Sequence, residues 1–334
     1  MRTTAAPARL RRVAGIVGLL AAVLGAGSVT AAIAQAQAQA PLPMVGSPLS
    51  QDEILKHVRA AAITSLRPVG STSVVFAAKL KAGVDASFKP RQQAKPLGYR
   101  AEIAAYRVAR LLAFDNVPPA VSRAVGLVQI RERLAPEFQA AAPEFERALI
   151  TEASGGVAVV PGAATYWVPD LRDLGLDSPR RMERWTRHLL QSGAVRAEER
   201  SWHADLSNML VFDYLIGNGD RWSGANVQGL KDGSRIVIRD HDLAFPETLK
   251  KDRHAVLFAA LERTEKFSRR TVERLRALSE ASLRAELGRD PRARVEPILS
   301  DAQIAGVLER RAAIMSLVSA LVEEFGEERV LAFE

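Results

Sequence analysis

The sequence predicts an α+β fold with two lobes, a small strand-containing N-lobe and a helix-rich C-lobe. Strand patterns and one amphipathic helix come first along the chain. A mostly helical second half follows, and one hairpin signal interrupts it, the pair Asp232-Gly233 that favours a two-residue turn. A run of strands followed by a run of helices is typical of α+β folds.

Residues 1–40 have the composition of an export signal. Arg2, Arg9, Arg11 and Arg12 precede an uncharged stretch from Val13 to Ala32, and several small-x-small cleavage sites follow it. The apolar stretch is also long enough to span a bilayer, so an uncleaved membrane anchor is an alternative. We therefore expect an exported protein in the periplasm, the extracellular space or a secretory lumen.

Composition excludes several classes of function. The 334-residue chain has no cysteine, which rules out disulfides, thiolate metal sites and a cysteine nucleophile. Four positive charges of the formal net charge of +8 belong to residues 1–40, which contain no acidic residue. The remaining basic residues are interspersed with glutamate in helical segments such as Arg180–Arg187, so we expect no nucleic-acid partner.

The mature chain is predicted to begin with an extension and helix over residues 41–70, followed by the N-lobe over 71–170. Apolar residues at helical spacing predict helices, and short β-rich segments bounded by Gly or Pro predict strands. The predicted elements, in order, are a helix over Gln51–Leu66, strands over Ser73–Leu80 and Val84–Lys89, an amphipathic helix over Gly98–Asp115 and a strand region over Ala120–Arg131.

Residues 171–334 are predicted to form the helical C-lobe, which also carries the hairpin. The apolar spacing over Asp205–Ile216 predicts a helix. The sequence Gly217-Asn218-Gly219 ends it, because Gly and Asn accept the positive φ of a C-terminal cap. Ser300 and Gln303 form a capping box at the start of a last long helix over Asp301–Phe325.

The hairpin predicts where three polar residues meet. If Asp232-Gly233 is the turn, Asn226 lies opposite Arg239, and Asp240 lies beside that pair at the open end. Asp220 lies on the loop that follows the preceding helix. Asp220, Asn226 and Asp240 are therefore expected close together.

These residue types are the ones that phosphoryl transfer requires. One carboxylate orients the attacking hydroxyl, and a second carboxylate with a neutral oxygen ligand holds a metal that bridges the phosphates. Asp220 suits the first role, and Asp240 with Asn226 suits the second. Each piece alone is common elsewhere, since an Asp-Arg pair after a helix is usually a cap or a surface ion pair. Asp242 fits a second metal ligand or a solvated loop carboxylate equally well.

A site of this kind also needs a cation for the phosphates and a helix carboxylate that positions it. Lys89, at a predicted strand end, and Glu102, on the following helix, are the candidates. By itself, such a lysine is more often a solubilising edge charge, and such a glutamate is more often solvated. The sequence contains no G-x-G-x-x-G loop and no Walker A motif; Gly70 and Gly83 are the nearby glycines.

Several segments resemble the secretory-pathway kinases typified by the Golgi casein kinase, its xylosyl-kinase relative and four-jointed. The resemblance implies an atypical kinase fold in which Asp220 is the catalytic carboxylate, Asp240 a metal ligand and Lys89 a phosphate contact. The segments that carry it, in chain order, are Phe88-Lys89-Pro90, Ala101-Glu102-Ile103-Ala104-Ala105-Tyr106, Val117-Pro118-Pro119-Ala120-Val121, Phe212-Asp213-Tyr214-Leu215-Ile216-Gly217-Asn218-Gly219-Asp220-Arg221 and Ile236-Val237-Ile238-Arg239-Asp240.

The chain also departs from that family. The family is cystine-bonded, whereas this chain has no cysteine. A His-rich stretch of the family is replaced by Trp222–Asn226, whose Asn is closer to the metal-binding Asn of ordinary and phosphoinositide kinases. An additional lysine of the family, on the strand before Lys89, falls near Val75, so that contact is absent or supplied by Lys79 or Lys81. A further acidic position of the family falls near Leu97.

The predicted function is an exported, ATP- and metal-dependent kinase that transfers a phosphoryl group to a hydroxyl of a protein or glycan. Asp240 and Asn226 would hold Mg²⁺ or Mn²⁺, and Lys89 with Glu102 would position the phosphates. Two alternatives are a non-catalytic pseudokinase or binding module outside the cytoplasm, and a kinase for lipids or small molecules. We expect no stable membrane association unless the N-terminal segment stays uncleaved.

Overall fold

The structure, a computed structural model, describes residues 41–70, 72–176, 179–222 and 226–334. The predicted export signal, residues 1–40, lies outside the described residues. Pro41–Glu334 folds as one unit. None of the described helices is long and apolar enough to cross a membrane. The predicted lobe boundaries, 71–170 and 171–334, stay predictions.

The first half of the described chain contains a mixed set of helices around an antiparallel sheet. Its sheet has the strand order β1-β2-β3-β6-β4, with β5 paired to β6. The elements are α1 (Gln51–Ala60), β1 (Ile63–Pro68), β2 (Phe76–Leu80), β3 (Asp85–Pro90), α2 (Gly98–Leu111), β4 (Ala120–Gly126), α3 (Leu127–Arg133), α4 (Ala142–Ala148), β5 (Glu152–Ser154) and β6 (Val157–Tyr166).

The second half is mostly helical and carries a small sheet of the order β7-β8-β9. Short 3₁₀ turns connect several of its helices, as at Arg187–Leu189 and Pro291–Arg294. The elements are β7 (Arg172–Asp173), α5 (Pro179–Thr186), α6 (Arg200–Ile216), β8 (Val227–Gly229), β9 (Ile236–Ile238), α7 (Lys251–Glu262), α8 (Arg269–Ala277), α9 (Glu280–Leu287), α10 (Asp301–Phe325) and α11 (Glu327–Val330).

The predicted hairpin register is confirmed. Val227 lies opposite Ile238, and Gln228 lies opposite Val237. Gly233 in the turn has φ +77°, a left-handed conformation that glycine adopts without a steric cost. The turn therefore sets the register by local chemistry alone, and the open end of the hairpin carries the residues expected there.

Two predicted elements were wrong in part. Gln51–Leu66 is not one helix, because the helix ends at Ala60 and Ile63–Pro68 pairs with β2. The predicted strand Ala120–Arg131 ends at Gly126, and helix Leu127–Arg133 follows. The physical reason for the second error is spacing: Leu127, Ile130 and Leu134 recur at helical intervals, and Ile130 and Leu134 are buried. The last helix, Asp301–Phe325, has the predicted bounds and the predicted capping box.

Two hydrophobic clusters fill the interior, and the hairpin lies where they meet. Strand β9 contributes Ile236 and Ile238 to the cluster that contains α2 and the C-terminal helices. It contributes Val237 to the cluster under the six-stranded sheet. Successive strand residues point to opposite faces, so one face of the hairpin is directed at each cluster. Helix α2 packs in the first cluster through buried residues such as Ile103 and Ala104.

Candidate active site

Lys89 joins three separate elements of the structure. It lies on β3, and its Nζ donates to Glu102 Oε1 on helix α2. The same Nζ donates to Asp240 Oδ1 at 2.6 Å, just beyond β9, and lies 3.9 Å from Asp242 Oδ2. The Lys89 side chain is 13% exposed and that of Glu102 is 4% exposed. The predicted phosphate cation, its helix carboxylate and the predicted metal ligand are therefore brought together.

Both members of the Lys89–Glu102 pair are held in their charged forms. Burial alone would lower the pKa of Lys89, but Glu102, and then Asp240 and Asp242, outweigh it and hold the pKa well above its ordinary value. Burial would raise the pKa of Glu102, but Lys89 and then His241 hold it well below its ordinary range. Glu102 Oε1 also accepts a hydrogen bond from the His241 backbone N–H at 2.9 Å.

Helix α2 is clamped so that Glu102 stays in place. At its N-terminal end, the Tyr99 hydroxyl and the Arg100 guanidinium both donate to the carboxylate of Glu296. Glu296 also accepts from Arg292 Nε at 2.7 Å, and Arg292 forms a bidentate pair with Glu152 at 2.6 and 2.8 Å. The end of helix α2 that carries Glu102 is thus fixed by ion pairs to the C-terminal part of the chain.

Asp240 has an unusual backbone conformation. Its φ is +65°, in the left-handed region that Asp and Asn tolerate better than most residues with a side chain. Its side chain is 27% exposed. Uncommon backbone conformations persist where surrounding contacts determine them, and they cluster at functional sites. Here the chain leaves β9 and turns its carboxylate toward Lys89.

The loop that carries Asp220 begins at the end of helix α6. Gly217 caps the helix with φ +68°, as the sequence predicts. The buried Asn218 then accepts a hydrogen bond from the Asp220 backbone N–H at 3.3 Å and donates to the Asp240 carbonyl at 3.4 Å. One amide side chain thus links the loop of the predicted catalytic carboxylate to the predicted metal ligand.

Replacing Gly217 with alanine should destabilise the fold beyond the cost of a left-handed alanine. The left-handed conformation itself costs a residue with a side chain ~1–2 kcal/mol. In addition, an added Cβ would lie 3.1 Å from Pro246 Cδ, so the helix cap would also have to shift. Gly83→Ala is the matched control, because Gly83 has φ +77° and no atom within 4 Å of an added Cβ. Urea unfolding of the two variants checks this; equal losses of stability would contradict it.

Arg221 is buried, and its hydrogen bonds connect helix α6 with the hairpin. It is 0% exposed, and its guanidinium donates to the two carboxylate oxygens of Asp213 at 2.7 and 2.9 Å. Its Nη1 donates to the carbonyl of Asn226 at 3.0 Å and to that of Arg239. The surface ion pair that is usual for an Asp-Arg sequence is thus not what the structure contains. Arg221 ties helix α6 to both ends of the hairpin.

Asn226 lies at the open end of the hairpin, as predicted. Its Nδ2 donates to the carbonyl of Asp220 at 3.0 Å. The amide nitrogen is thus used within the loop, and the amide oxygen is the atom suited to a metal. Sequence patterns gave no sign of this second contact between the loop and the hairpin.

Asp242 is not a solvated loop carboxylate. Its side chain is 10% exposed and pairs with Lys95 at 2.8 Å. Burial raises the pKa of Asp242 above its ordinary value, although Lys89 and Lys95 act in the opposite direction. Asp242 is therefore a largely buried carboxylate beside the Lys89 cluster.

A cleft of about 260 Å³ lies directly beside the Lys89 cluster. One side is formed by β3 and the end of β6, and the other by the face of the hairpin that carries Gln228. A volume of this order is at the low end for small-molecule sites, which are mostly preformed clefts. The lining residues are Ser87, Lys89, Glu102, Pro118, Thr165, Tyr166, Trp167, Val168, Asp170, Leu171, Gln228, Arg239 and Asp240.

Neither lysine proposed as a substitute for the family's additional strand lysine lines this cleft. Lys79 is 69% exposed and pairs with Asp85. Asp85 lies opposite Lys79 and four residues before Lys89, which is about 13 Å along a strand. Lys81 is exposed in the turn that follows β2. The cleft contains Arg239 instead, a residue that sequence comparison did not single out.

The oxygen atoms of this site fit a hard divalent cation whose coordination shell is completed by the oxygens of a bound ligand. Within the described residues, no group of three or more His, Cys, Asp or Glu side chains is arranged to hold a metal ion. Glu102 and Asp240 already converge on one positive charge, the Lys89 ammonium. Mg²⁺ sites commonly consist of one or two carboxylates plus substrate phosphates, and Mn²⁺ takes similar oxygen ligands. The residues therefore fit a metal that arrives with phosphates.

Comparisons with known proteins find kinases that are similar in sequence. The sequence profile described as "Golgi casein kinase, C-terminal, Fam20" matches residues 179–330. The human protein named glycosaminoglycan xylosylkinase is 24% identical over 296 residues, which cover 75% of this chain and 70% of the human protein.

Two solved structures resemble most of the fold. The Golgi casein kinase with Mn/ADP bound has a TM-score of 0.62 at 18% identity and covers 84% of this chain and 78% of its own. Hydra Fam20 with sugar has a TM-score of 0.60 at 19% identity and covers 85% of this chain and 92% of its own. The predicted α+β, kinase-like fold is confirmed.

Proposed function

We propose that this chain is a member of the secretory-pathway kinase family, since the family profile matches residues 179–330 and the human relative is 24% identical, and that it is an exported kinase that uses ATP and Mg²⁺ or Mn²⁺. It transfers the γ-phosphoryl group to a hydroxyl of a protein or glycan. The observation that carries the proposal is the Lys89 ammonium, which contacts Glu102 and Asp240 from two other elements beside an open cleft.

The relatives support the cofactors and the acceptor class. A solved relative is described with Mn/ADP bound, and another relative is named glycosaminoglycan xylosylkinase. The Golgi casein kinase is named for a protein acceptor. Protein and glycan hydroxyls are therefore the two acceptor classes that we assign to this chain.

Asp220 is the residue that we assign to the acceptor. Asn218 links the backbone of Asp220 to the backbone of Asp240, so the loop that carries Asp220 is held beside the proposed metal ligand. The Asp220 carboxylate would orient the acceptor hydroxyl and take its proton. A bond forms between the hydroxyl oxygen and the γ-phosphorus, the bond to the β–γ bridging oxygen breaks, and ADP leaves.

Lys89 and Glu102 are assigned to the nucleotide phosphates. The ammonium of Lys89 is charged and buried among carboxylates, and phosphate oxygens would accept its hydrogen bonds in the same way. Glu102 would keep the ammonium aimed at the phosphates, since its own contacts to Lys89 and the His241 backbone are already made.

Asp240 and Asn226 are assigned to the metal. Their oxygens would hold Mg²⁺ or Mn²⁺, and the bound ion would neutralise charge on the phosphates. Asp242 pairs with Lys95 and is not needed for this arrangement. The basic and apolar segment in residues 1–40 supports export, and an exported kinase would act outside the cytoplasm.

Thermal unfolding with ATP, with and without Mn²⁺ or Mg²⁺, tests the nucleotide site. A ligand at 100 times its Kd that binds only the native state stabilises it by about 2.7 kcal/mol, so the Tm should rise measurably. Asp240→Asn should lose the metal-dependent part of this rise. Asp252→Asn, an exposed carboxylate in the first turn of α7, should keep it.

Transfer of labelled phosphate to protein and glycan acceptors tests the reaction itself. Metal-dependent binding with no transfer to either acceptor class would indicate a pseudokinase. The absence of any Tm rise with nucleotide and metal, in a protein that is folded, would rule out the proposed site.

A further inference from the structure

The cations that line the cleft differ in whether a carboxylate neutralises them. Lys89 already contacts the carboxylates of Glu102 and Asp240. A nucleotide carries several negative charges, and Lys89 must also remain bound to Glu102 to stay oriented. A further cation in the cleft, one whose charge is not already neutralised by a carboxylate, would therefore add to the attraction of Lys89 and the metal for the phosphates.

Arg239 is positioned to supply that charge. It lines the cleft, and its Nη1 donates to Gln228 Oε1 at 2.7 Å. This partner is a neutral amide, so the hydrogen bond orients the guanidinium without neutralising it. Gln228 lies opposite Val237, and Arg239 follows two residues later, on the same face of an extended chain. That face is the one directed at the sheet cluster and the cleft.

The backbone of Arg239 is also fixed. Its carbonyl accepts a hydrogen bond from the buried Arg221, and the next residue is Asp240, the proposed metal ligand. An arginine whose backbone and guanidinium are both held by hydrogen bonds loses little conformational freedom when it binds an anion. Its planar donors match phosphate oxygens in pairs.

We propose that Arg239 is a second phosphate-binding residue of the nucleotide site, in place of the additional strand lysine that this chain lacks near Val75. Gln228 is the positioning residue that holds its guanidinium over the cleft. The proposal rests on the proposed kinase function and adds to it a binding residue on the hairpin side of the cleft. The phosphates would then lie between Lys89 on the sheet and Arg239 on the hairpin.

Binding of ATP, ADP and adenosine to the full chain with Mn²⁺ tests the proposal by calorimetry. Arg239→Met should weaken ATP and ADP about 10- to 100-fold, the range expected for a lost charge-assisted hydrogen bond. Adenosine should bind within about twofold of wild type, because it has no phosphate to lose. Lys79→Met is the matched control, since Lys79 pairs with Asp85 away from the cleft, and it should leave all three affinities unchanged.

Gln228→Glu is a second variant that keeps Arg239 in place. A carboxylate at this position would neutralise the guanidinium, so ATP and ADP should again weaken at least about tenfold while adenosine does not. Unchanged ATP affinity in this folded variant would overturn the proposal, as would an equal loss for adenosine in either variant. A wild-type chain that binds no nucleotide would instead overturn the proposed function, so the two failures are distinguishable.

Discussion

Asp220→Asn is expected to lower kcat about 10²- to 10⁴-fold while nucleotide binding stays near wild type. General acid–base catalysis contributes a factor of this size, and an amide cannot accept the hydroxyl proton. The change keeps the side-chain shape, and the backbone N–H that donates to Asn218 is unaffected. Transfer of labelled phosphate to the best acceptor and the Kd for ATP with Mn²⁺ measure the two effects separately.

The controls for Asp220→Asn separate catalysis from folding. Asp252→Asn removes an exposed carboxylate near the N-terminus of α7 and should leave kcat within about twofold. Asp240→Asn should fail in both assays, because it removes a predicted metal ligand. If Asp220→Asn transferred phosphate at the wild-type rate, its assignment as the catalytic carboxylate would be wrong.

Arg221→Met is expected to lower the free energy of unfolding by about 3–5 kcal/mol, the cost of breaking a buried ion pair on one side. The Asp213 side chain is 3% exposed and would be left as an uncompensated buried charge. Two carbonyls, those of Asn226 and Arg239, would also lose their donor. Urea unfolding of wild type and variant measures the change.

Removing both charges should recover part of that loss. The Asp213→Asn/Arg221→Met double variant leaves no buried charge without a partner, so we expect it to be more stable than Arg221→Met alone. Arg274→Met, on the exposed face of α8, should change stability by less than about 0.5 kcal/mol. A double variant that is less stable than Arg221→Met would show that lost packing, rather than the buried charge, sets the cost.

Features governed by local chemistry were predictable from the sequence. The register of the hairpin was predictable because the conformation of Gly233 in a short turn fixes which residues pair. The end of helix α6 was predictable because Gly217 accepts a positive φ. Asp220, Asn226 and Asp240 were expected close together because each is only a few residues from one of these signals.

Features governed by contacts between distant segments were not predictable. Nothing local indicates that Arg221 is buried. Its partners are Asp213, eight residues earlier on helix α6, and two backbone carbonyls at the ends of the hairpin. Asp242 lies in a loop with no pattern of its own, and its partner Lys95 is 147 residues earlier in the chain. The local spacing of Gln51–Leu66 predicted one helix, but the pairing of Ile63–Pro68 with β2 outweighs that spacing and makes this segment strand β1.

By itself, the sequence determined the register of the hairpin, the end of helix α6 and the bounds of the last helix, because turn residues and caps act through their nearest neighbours. It also supplied the five candidate residues for the chemistry, Lys89, Glu102, Asp220, Asn226 and Asp240. The tertiary structure decided which of these side chains touch. It placed Lys89 against Glu102 and Asp240, and it placed Arg239 rather than Lys79 in the cleft. The reason is that a contact between segments depends on strand register and on the packing of the hairpin between two cores, and both depend on the whole chain.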